Sequence, residues 1–415
     1  MALEERRVLF ISYNGMLDPL GQSQVLPYLR ELTKRGLQFT LLSFERPNAF
    51  ASEGVARREE LQRNLAAQGI DWHYLPYHQT PSLGATIFDV ANGIRLARKL
   101  IKRKQIELVH ARSHIPATIA LALKRHFGVK LIFDLRGLLA DEYVDAGHWR
   151  KGSIPYRLTK AMERRAFAAA DGVVTLTESI WPIIKQWPAL RNRPAVIHQV
   201  VPCCADLDLF KFSSADRERR RRELGVSDRF VVVYSGSIDG WYLTERMADF
   251  FSEVLKQRPD AHFLWLTPAR HERLRNLMQE RRIDESSYTV LAAASRDVAS
   301  YLSAGDVGLA FIKSCFSKLA SSPTKYAEYL GCGLPLLINS GVGDSDALIT
   351  QEGVGALVTE FKSSEYAKVI TTIERFVRDA PETRRRTRAV AERLFDVRTV
   401  GADRYASLYE RVFSQ

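Results

Sequence analysis

The feature that most constrains the fold is an alternation running the length of the chain, in which short apolar runs are each followed by a segment with helical spacing. VLFIS at 8–12 leads through a loop holding Gly15, Pro19 and Gly21 into helical periodicity over 23–33. QFTLLS (38–43), IELVH (106–110), KLIFD (130–134), GVVTL (172–176) and the run 195–201 read as further strands, with helices expected at 94–104, around 118–125, and at 156–170 and 179–186. Strands separated by long helical segments cannot close as tight hairpins, so they pair in parallel under helices on both faces. After Pro202 the pattern restarts with FVVVYS (230–235), HFLWL (262–266), 288–291, VGLAF (307–311), LPLLIN (334–339) and 355–359, and with helices expected at 244–257, 272–282 and 298–303. The fold class is therefore α/β, two Rossmann-like doubly wound domains in tandem. The expected division is 1–204, 205–391 and a terminal helix within 392–415 packing across the domains, whose Phe395, Tyr405 and Tyr409 carry ordinary core spacing.

Charge is placed unevenly over this frame. The 415 residues include 60 Lys and Arg against 48 Asp and Glu, and the first 205 hold 29 of the former and 18 of the latter, so nearly the whole excess lies in the first half. Such a field favours a polyanion: a nucleic acid, an anionic membrane surface or a phosphate-bearing substrate. No nucleic acid is expected, because the basic runs at 99–104 and 217–222 lack the interleaved aromatics of a base-stacking platform. The second run, within RERRRRE, reads as a solvated helix face. MALEERR sets two acids before a short apolar run, unlike a secretory signal. The apolar stretches fall short of the ~20 residues of a membrane span. Cys203, Cys204, Cys315 and Cys332 form neither a disulfide framework nor a zinc spacing. A cytoplasmic protein is expected, peripheral at the inner membrane face if it meets a membrane.

One stretch carries chemistry: SPTKYAEYLGCGLP, 322–335. Ser322 suits a helix N-cap and Pro323 the first helical position, so Thr324 and its successors present free amides and the positive end of the helix dipole, a ready anion site. A cation there opposes the dipole, and Lys325 in the first turn is tolerable where an anion binds. Glu328 stands about one turn on, where the ribose of a nucleotide would lie. Read alone, the same residues describe a capped helix with a surface Lys and Glu equally well.

With Gly341, Gly343 and GVGALV (353–358), this stretch closely resembles the nucleotide-sugar site of glycosyltransferase family 4, a retaining family with the GT-B fold. GQSQVLPYLREL after Gly15 is similar to the family's glycine loop and first helix, HARSHIPA (110–117) and FDLRGLLADE (133–142) to the edges of its acceptor cleft, VPCCADLDLF (201–210) to its interdomain motif, and YSGSIDGWYL (234–243) to its phosphate loop. The resemblance implies two domains facing across a cleft, the second taking a UDP- or GDP-linked sugar and the first a glycan or lipid-linked acceptor. It implies retaining, metal-independent transfer with the nucleotide sugar as co-substrate and no other cofactor. Charge on the leaving diphosphate then falls to Lys325, to the helix start at Ser322 and Thr324, and to the amides of Gly21, Gly236 and Ser237, while Glu328 holds the ribose.

Three departures mark this chain. The first glutamate of the family's usual pair falls on Ala320, and no carboxylate occurs from Phe311 to Ala327. The cleft histidine falls on Arg136, and Ser237 stands where the phosphate loop usually carries arginine, leaving Lys313, Lys318, Lys325 and Arg246 as the available cations. Arg136, Lys325 and Glu142 are the expected catalytic groups, with His110, Arg112 and Asp134 on the acceptor side. Arg136 either meets donor phosphate or acceptor, or pairs with Asp134 or Glu142 to hold its loop. The strings Asp206–Asp208 and Asp344–Asp346 are not expected to bind metal, and His110 with His114 lacks a third ligand. A non-catalytic GT-B module binding a sugar nucleotide or protein partner is the alternative.

Overall fold

The computed structural model describes residues 3–80, 82–193, 196–268 and 270–415. They form two compact units, the first running to Pro202 and including Val397–Gln415, the second spanning Cys203–Asp396. In the first unit seven strands, β1 (Arg7–Ser12), β2 (Gln38–Glu45), β3 (Ile70–Pro76), β4 (Leu108–Arg112), β5 (Lys130–Asp134), β6 (Gly172–Thr175) and β7 (Ile197–Val200), form one sheet in the order β3-β2-β1-β4-β5-β6-β7. In the second, β8 (Phe230–Ser235), β9 (Ala261–Leu266), β10 (Tyr288–Leu291), β11 (Val307–Ala310), β12 (Leu336–Asn339) and β13 (Gly355–Val358) order as β10-β9-β8-β11-β12-β13. Every pairing in both sheets is parallel. Order reverses between β1 and β4 and between β8 and β11, the switch points where open α/β sheets bind ligands beyond their strand ends.

Several expectations need correction. The helix over 23–33 is two helices, Pro19–Gln24 and Leu26–Thr33, broken at Val25, because Pro27 cannot donate to a continuous ladder and instead opens the second helix. The helix at 94–104 begins at Ser82, and the helix Ser52–Ala67 with the edge strand β3 were not anticipated. Ala195, expected in β7, lies outside the described residues. The terminal helix is interrupted: Ala380–Phe395 ends at extended Asp396, which bridges Ala205, and a wide turn over Val397–Ala402 precedes the helix Asp403–Ser414. Nor is RERRRRE a solvated face. Arg217 and Arg221, four apart on one side of the helix Ser214–Leu224, turn inward onto Asp306, and Arg221 is buried.

Close packing fixes the helix Thr324–Gly331 on the second sheet. Tyr329 lies flat where a Cβ on Gly308 of β11 would stand, and its hydroxyl accepts the Ser235 amide at 2.8 Å. Glycine at 308 is thus what lets this helix approach the sheet and present its first turn beside the end of β8.

Candidate functional site

In the second unit, the loop after β8 and the segment after β11 are joined where strand order reverses. Leu243 N donates to Phe311 O at 2.9 Å, Lys313 N to Trp241 O at 2.8 Å, and Tyr242 bridges Ile312. Gly236 has φ of 135°, and the Lys325 ammonium would stand 3.1 Å from a Cβ placed there, so the loop backbone and the lysine are in contact. Tyr234 and Tyr242 hold that ammonium from the other sides, their ring centroids 4.2 and 3.7 Å from Nζ. Among the described residues nothing accepts a hydrogen bond from it, although Lys325 is buried. Burial pulls its pKa down to about 7, against the attraction of Glu328. Glu328, one turn on, is pushed up to about 7 by burial, with Lys325 opposing.

The helix starts one residue later than its sequence suggests. Pro323 is the N-cap, and the Ser322 hydroxyl accepts the Cys203 amide at 3.1 Å instead of capping the helix. Thr324 and Lys325 are therefore the first helical residues, and their amides have no intrahelical acceptor. Ser237 is held by its carbonyl, which accepts the Tyr234 hydroxyl. Ala320 is buried at the end of the turn Phe316–Ala320. Lys318, from the same turn, lies over the Trp241 ring at 3.7 Å, a pairing that no local sequence signal announces. Arg246 stands elsewhere, beside Asp249 at 3.6 Å, and Asp346 accepts the Gly341 amide at 2.9 Å.

The first unit gathers its expected residues at the ends of β4 and β5, where Arg112 and Asp134 are register partners. Arg112 donates to Asn14 at 3.0 Å, tying β4 to the loop after β1. Asp134 accepts the Tyr405 hydroxyl at 2.8 Å, with His110 Nε2 at 3.4 Å and Arg136 at 3.6 Å. Burial works to raise the Asp134 carboxyl, but Arg136, His110 and Arg112 together hold it well below the usual carboxylate range. His110 is fully buried, stacked on Phe10 and bonded through Nδ1 to the Tyr409 hydroxyl at 2.6 Å; burial lowers its pKa, so the ring stays neutral. Both of its ring nitrogens have partners within the unit, Tyr409 and Asp134. Glu142 packs its carboxylate against Gly137, 3.0 Å from where a Cβ would stand. Gly21 is buried inside the short helix Pro19–Gln24, its α-carbon against the Gly15 carbonyl.

Two residues that sequence reasoning missed shape this edge. Glu45 at the end of β2 accepts from the Met16 and Leu17 amides at 2.7 and 3.3 Å and so anchors the loop after β1. Ser113, between β4 and its helix, has φ 77° and ψ −175°, a region that is nearly glycine-only and costs about 1–3 kcal/mol. Its amide bonds the Asp134 carbonyl at 2.8 Å, which holds the strained turn against β5. Ser113→Gly is expected to stabilise the first unit by about 1 kcal/mol, read as a higher urea midpoint. A lower midpoint would mean that the serine is not strained there.

Comparison with known proteins follows the same lines. Residues 21–199 match the family model of the glycosyl transferase 4-like domain. No curated protein matches the sequence. Among solved structures, sucrose-phosphate synthase from Thermosynechococcus elongatus superposes with a TM-score of 0.76 at 16% identity, over 99% of this chain and 100% of that one. HepE of Anabaena, in complex with UDP, gives 0.71 at 18% identity over 97% and 100%. WaaG, a glycosyltransferase involved in lipopolysaccharide biosynthesis, gives 0.66 at 15% identity over 96% and 98%. The first unit thus carries a glycosyl transferase 4-like domain, and the chain as a whole, two parallel α/β units in tandem, has the GT-B fold of these glycosyltransferases.

Proposed function

We propose that the protein transfers a sugar, with retention, from a UDP- or GDP-linked donor to a glycan or lipid-linked acceptor, as in cell-surface polysaccharide or glycolipid assembly. The observation that carries this reading is the Lys325 ammonium, buried against Gly236 at a helix start without a hydrogen-bond acceptor among the described residues. A buried cation left unpaired is costly, and a diphosphate supplies what it lacks. The HepE complex with UDP supports the nucleotide, and the lipopolysaccharide role of WaaG supports the acceptor class.

In the transfer, the bond from the anomeric carbon to the β-phosphate oxygen breaks, and a bond from that carbon to the acceptor hydroxyl oxygen forms on the same face. The hydroxyl proton passes to the departing diphosphate. This route uses no protein carboxylate as nucleophile, consistent with alanine at 320. Lys325 and the amides of Thr324 and Ser237 meet the charge as it develops, and preorganised donors of this kind are what lower such barriers. Glu328 takes the ribose hydroxyls. Arg136 and Glu142, in the first unit, act toward the acceptor. No metal takes part.

A thermal-shift series with UDP, GDP and their sugars tests the donor, and the anomeric configuration of the product, read by NMR, tests retention. Glu328→Ala is expected to weaken donor binding about tenfold with the fold intact, the worth of one charged hydrogen bond. Unchanged affinity would sink the ribose assignment. Binding without release or transfer of sugar from any donor would favour the non-catalytic module, a reading that Ala320 supports.

The basic first half is assigned to an anionic membrane surface that presents the acceptor. Among the described residues no helix is long and apolar enough to cross a membrane. The helix Ser82–Lys104 instead exposes Leu83, Ile87 and Phe88 near its start, 68%, 60% and 55% accessible, and ends in Lys102, Arg103 and Lys104. That combination of apolar anchors and basic charge suits an interfacial helix.

A further inference from the structure

The arginine run that turns inward on the second unit borders a cavity of about 690 Å³ at the sheet edge opposite the Lys325 site. The cavity opens beside Phe230, the first residue of β8, and Asp306, just before β11, whereas Gly236 follows the other end of β8. Six arginines line it against three carboxylates. Asp306 is already committed, since it accepts from Arg217, Arg221 and the Val231 amide. Arg229 is spent on the carbonyls of Asp260 and Ala261, and Arg258 on the Asp260 carboxylate.

Arg384 is the exception. It reaches the cavity from the helix Ala380–Phe395 with its stem against Gly333 and its guanidinium over the Phe212 ring at 4.1 Å, and among the described residues no hydrogen bond or ion pair engages it. Burial, with Arg217 and Arg221 nearby, draws it below the usual guanidinium range, although Asp306 opposes this. Among the described residues Arg222, at the rim, has only Glu218, at 4.0 Å. A concave, half-buried surface with three positive charges in excess and planar donors still open is built for an anion with more than one charge.

We propose that this cavity is a second ligand site, separate from the donor site, which binds a phosphorylated small molecule between a sugar phosphate and a nucleotide in size. The volume lies within the range of small-molecule pockets, and guanidinium groups engage phosphate oxygens two at a time. Occupancy satisfies Arg384, which packs behind Gly333, two residues past the end of the helix whose first turn carries Lys325. The ligand would therefore brace the far end of the donor-site helix.

Isothermal titration of the full-length Lys325→Met protein with pyrophosphate tests this, because that variant lacks the cation of the donor site. One saturable site is expected. Adding Arg384→Met, which keeps the stem on Gly333, should weaken it about tenfold, the worth of one charge-assisted hydrogen bond, and exposed Arg222→Glu should weaken it at least as much. Glucose 6-phosphate and UDP titrated in parallel decide whether a sugar phosphate or a diphosphate binds more tightly, and tighter binding of either than of sulfate supports the site. No saturable binding, sulfate binding as tight as pyrophosphate, or an affinity indifferent to both arginine substitutions overturns it.

Discussion

Lys325→Met is expected to make the protein more stable and nearly inactive. Nζ has no hydrogen-bond acceptor in its aromatic cage, and burial pulls its pKa from 10.5 to about 7, equivalent to roughly 5 kcal/mol of disfavoured charge. Methionine keeps the length of the stem and fills the same volume without a charge to desolvate. The two tyrosine faces return part of the cost through their attraction for the cation, so a net gain of about 2 kcal/mol is the reasonable size. For a unit of this length that is roughly 4–8 °C in melting temperature.

The pH dependence of that gain has a definite sign. A lysine whose folded pKa is depressed penalises the fold fully below about 7, and the penalty disappears as pH rises from there toward the unfolded value. The advantage of the methionine variant should therefore be large near pH 6 and small near pH 10. Glu328, raised to about 7, acts oppositely, costing stability above that value and nothing below its unfolded one, so the double variant with Glu328→Gln separates the two. Turnover should fall about a hundredfold or more, as when one preorganised oxyanion donor is removed. Equal melting temperatures with undiminished turnover would show that Lys325 is neither strained nor catalytic. The gain in stability from losing a functional group is the expected mark of a site held open for its ligand.

Much of the architecture was readable where an apolar run fills a buried parallel strand. β5, β8 and β10 and the helix Thr244–Gln257 lie where periodicity sets them. The helix Ser52–Ala67 escaped because it buries little beyond Gly54 and Leu65 and so shows no apolar stripe. Misread features share one cause, a partner distant in sequence. Ser322 looks like a cap but is taken by the amide of Cys203, and RERRRRE looks solvated but faces Asp306 more than eighty residues away. Asp396 interrupts a periodic helix because the chain leaves the second unit there. Lys325 and Glu328 were recognisable as a motif, but the tyrosine cage around the Lys325 ammonium was not, since Tyr234 and Tyr242 read as ordinary strand and loop aromatics.

Asp134→Ala is expected to be the most damaging single change in the first unit, at about 3–5 kcal/mol. The carboxylate is the acceptor for Tyr405 and lies within reach of His110 and Arg136, all of them shielded from water. Removing it strands a buried hydroxyl and leaves the positive charges of Arg136 and Arg112 facing a neutral interior, which costs more than the pair ever contributed. Asp134→Asn retains an acceptor for Tyr405 and should lose about half as much, so the difference between the variants measures charge apart from hydrogen bonding. Because the folded pKa is depressed, the carboxylate's contribution is fully present above the ordinary value near 3.9 and is lost as pH falls from there through the folded one. The gap between wild type and Asp134→Asn in urea unfolding should thus be flat above about pH 5 and close only in stronger acid. A gap that instead widened or closed near pH 6 would assign the stabilisation to His110. Since Asp134 sits in register with Arg112 and two residues before Arg136, the same substitutions should also lower turnover without moving donor affinity, which the proposed function assigns to the second unit. A loss of donor affinity alongside would show that β5 does more than hold Arg112 and Arg136 in place.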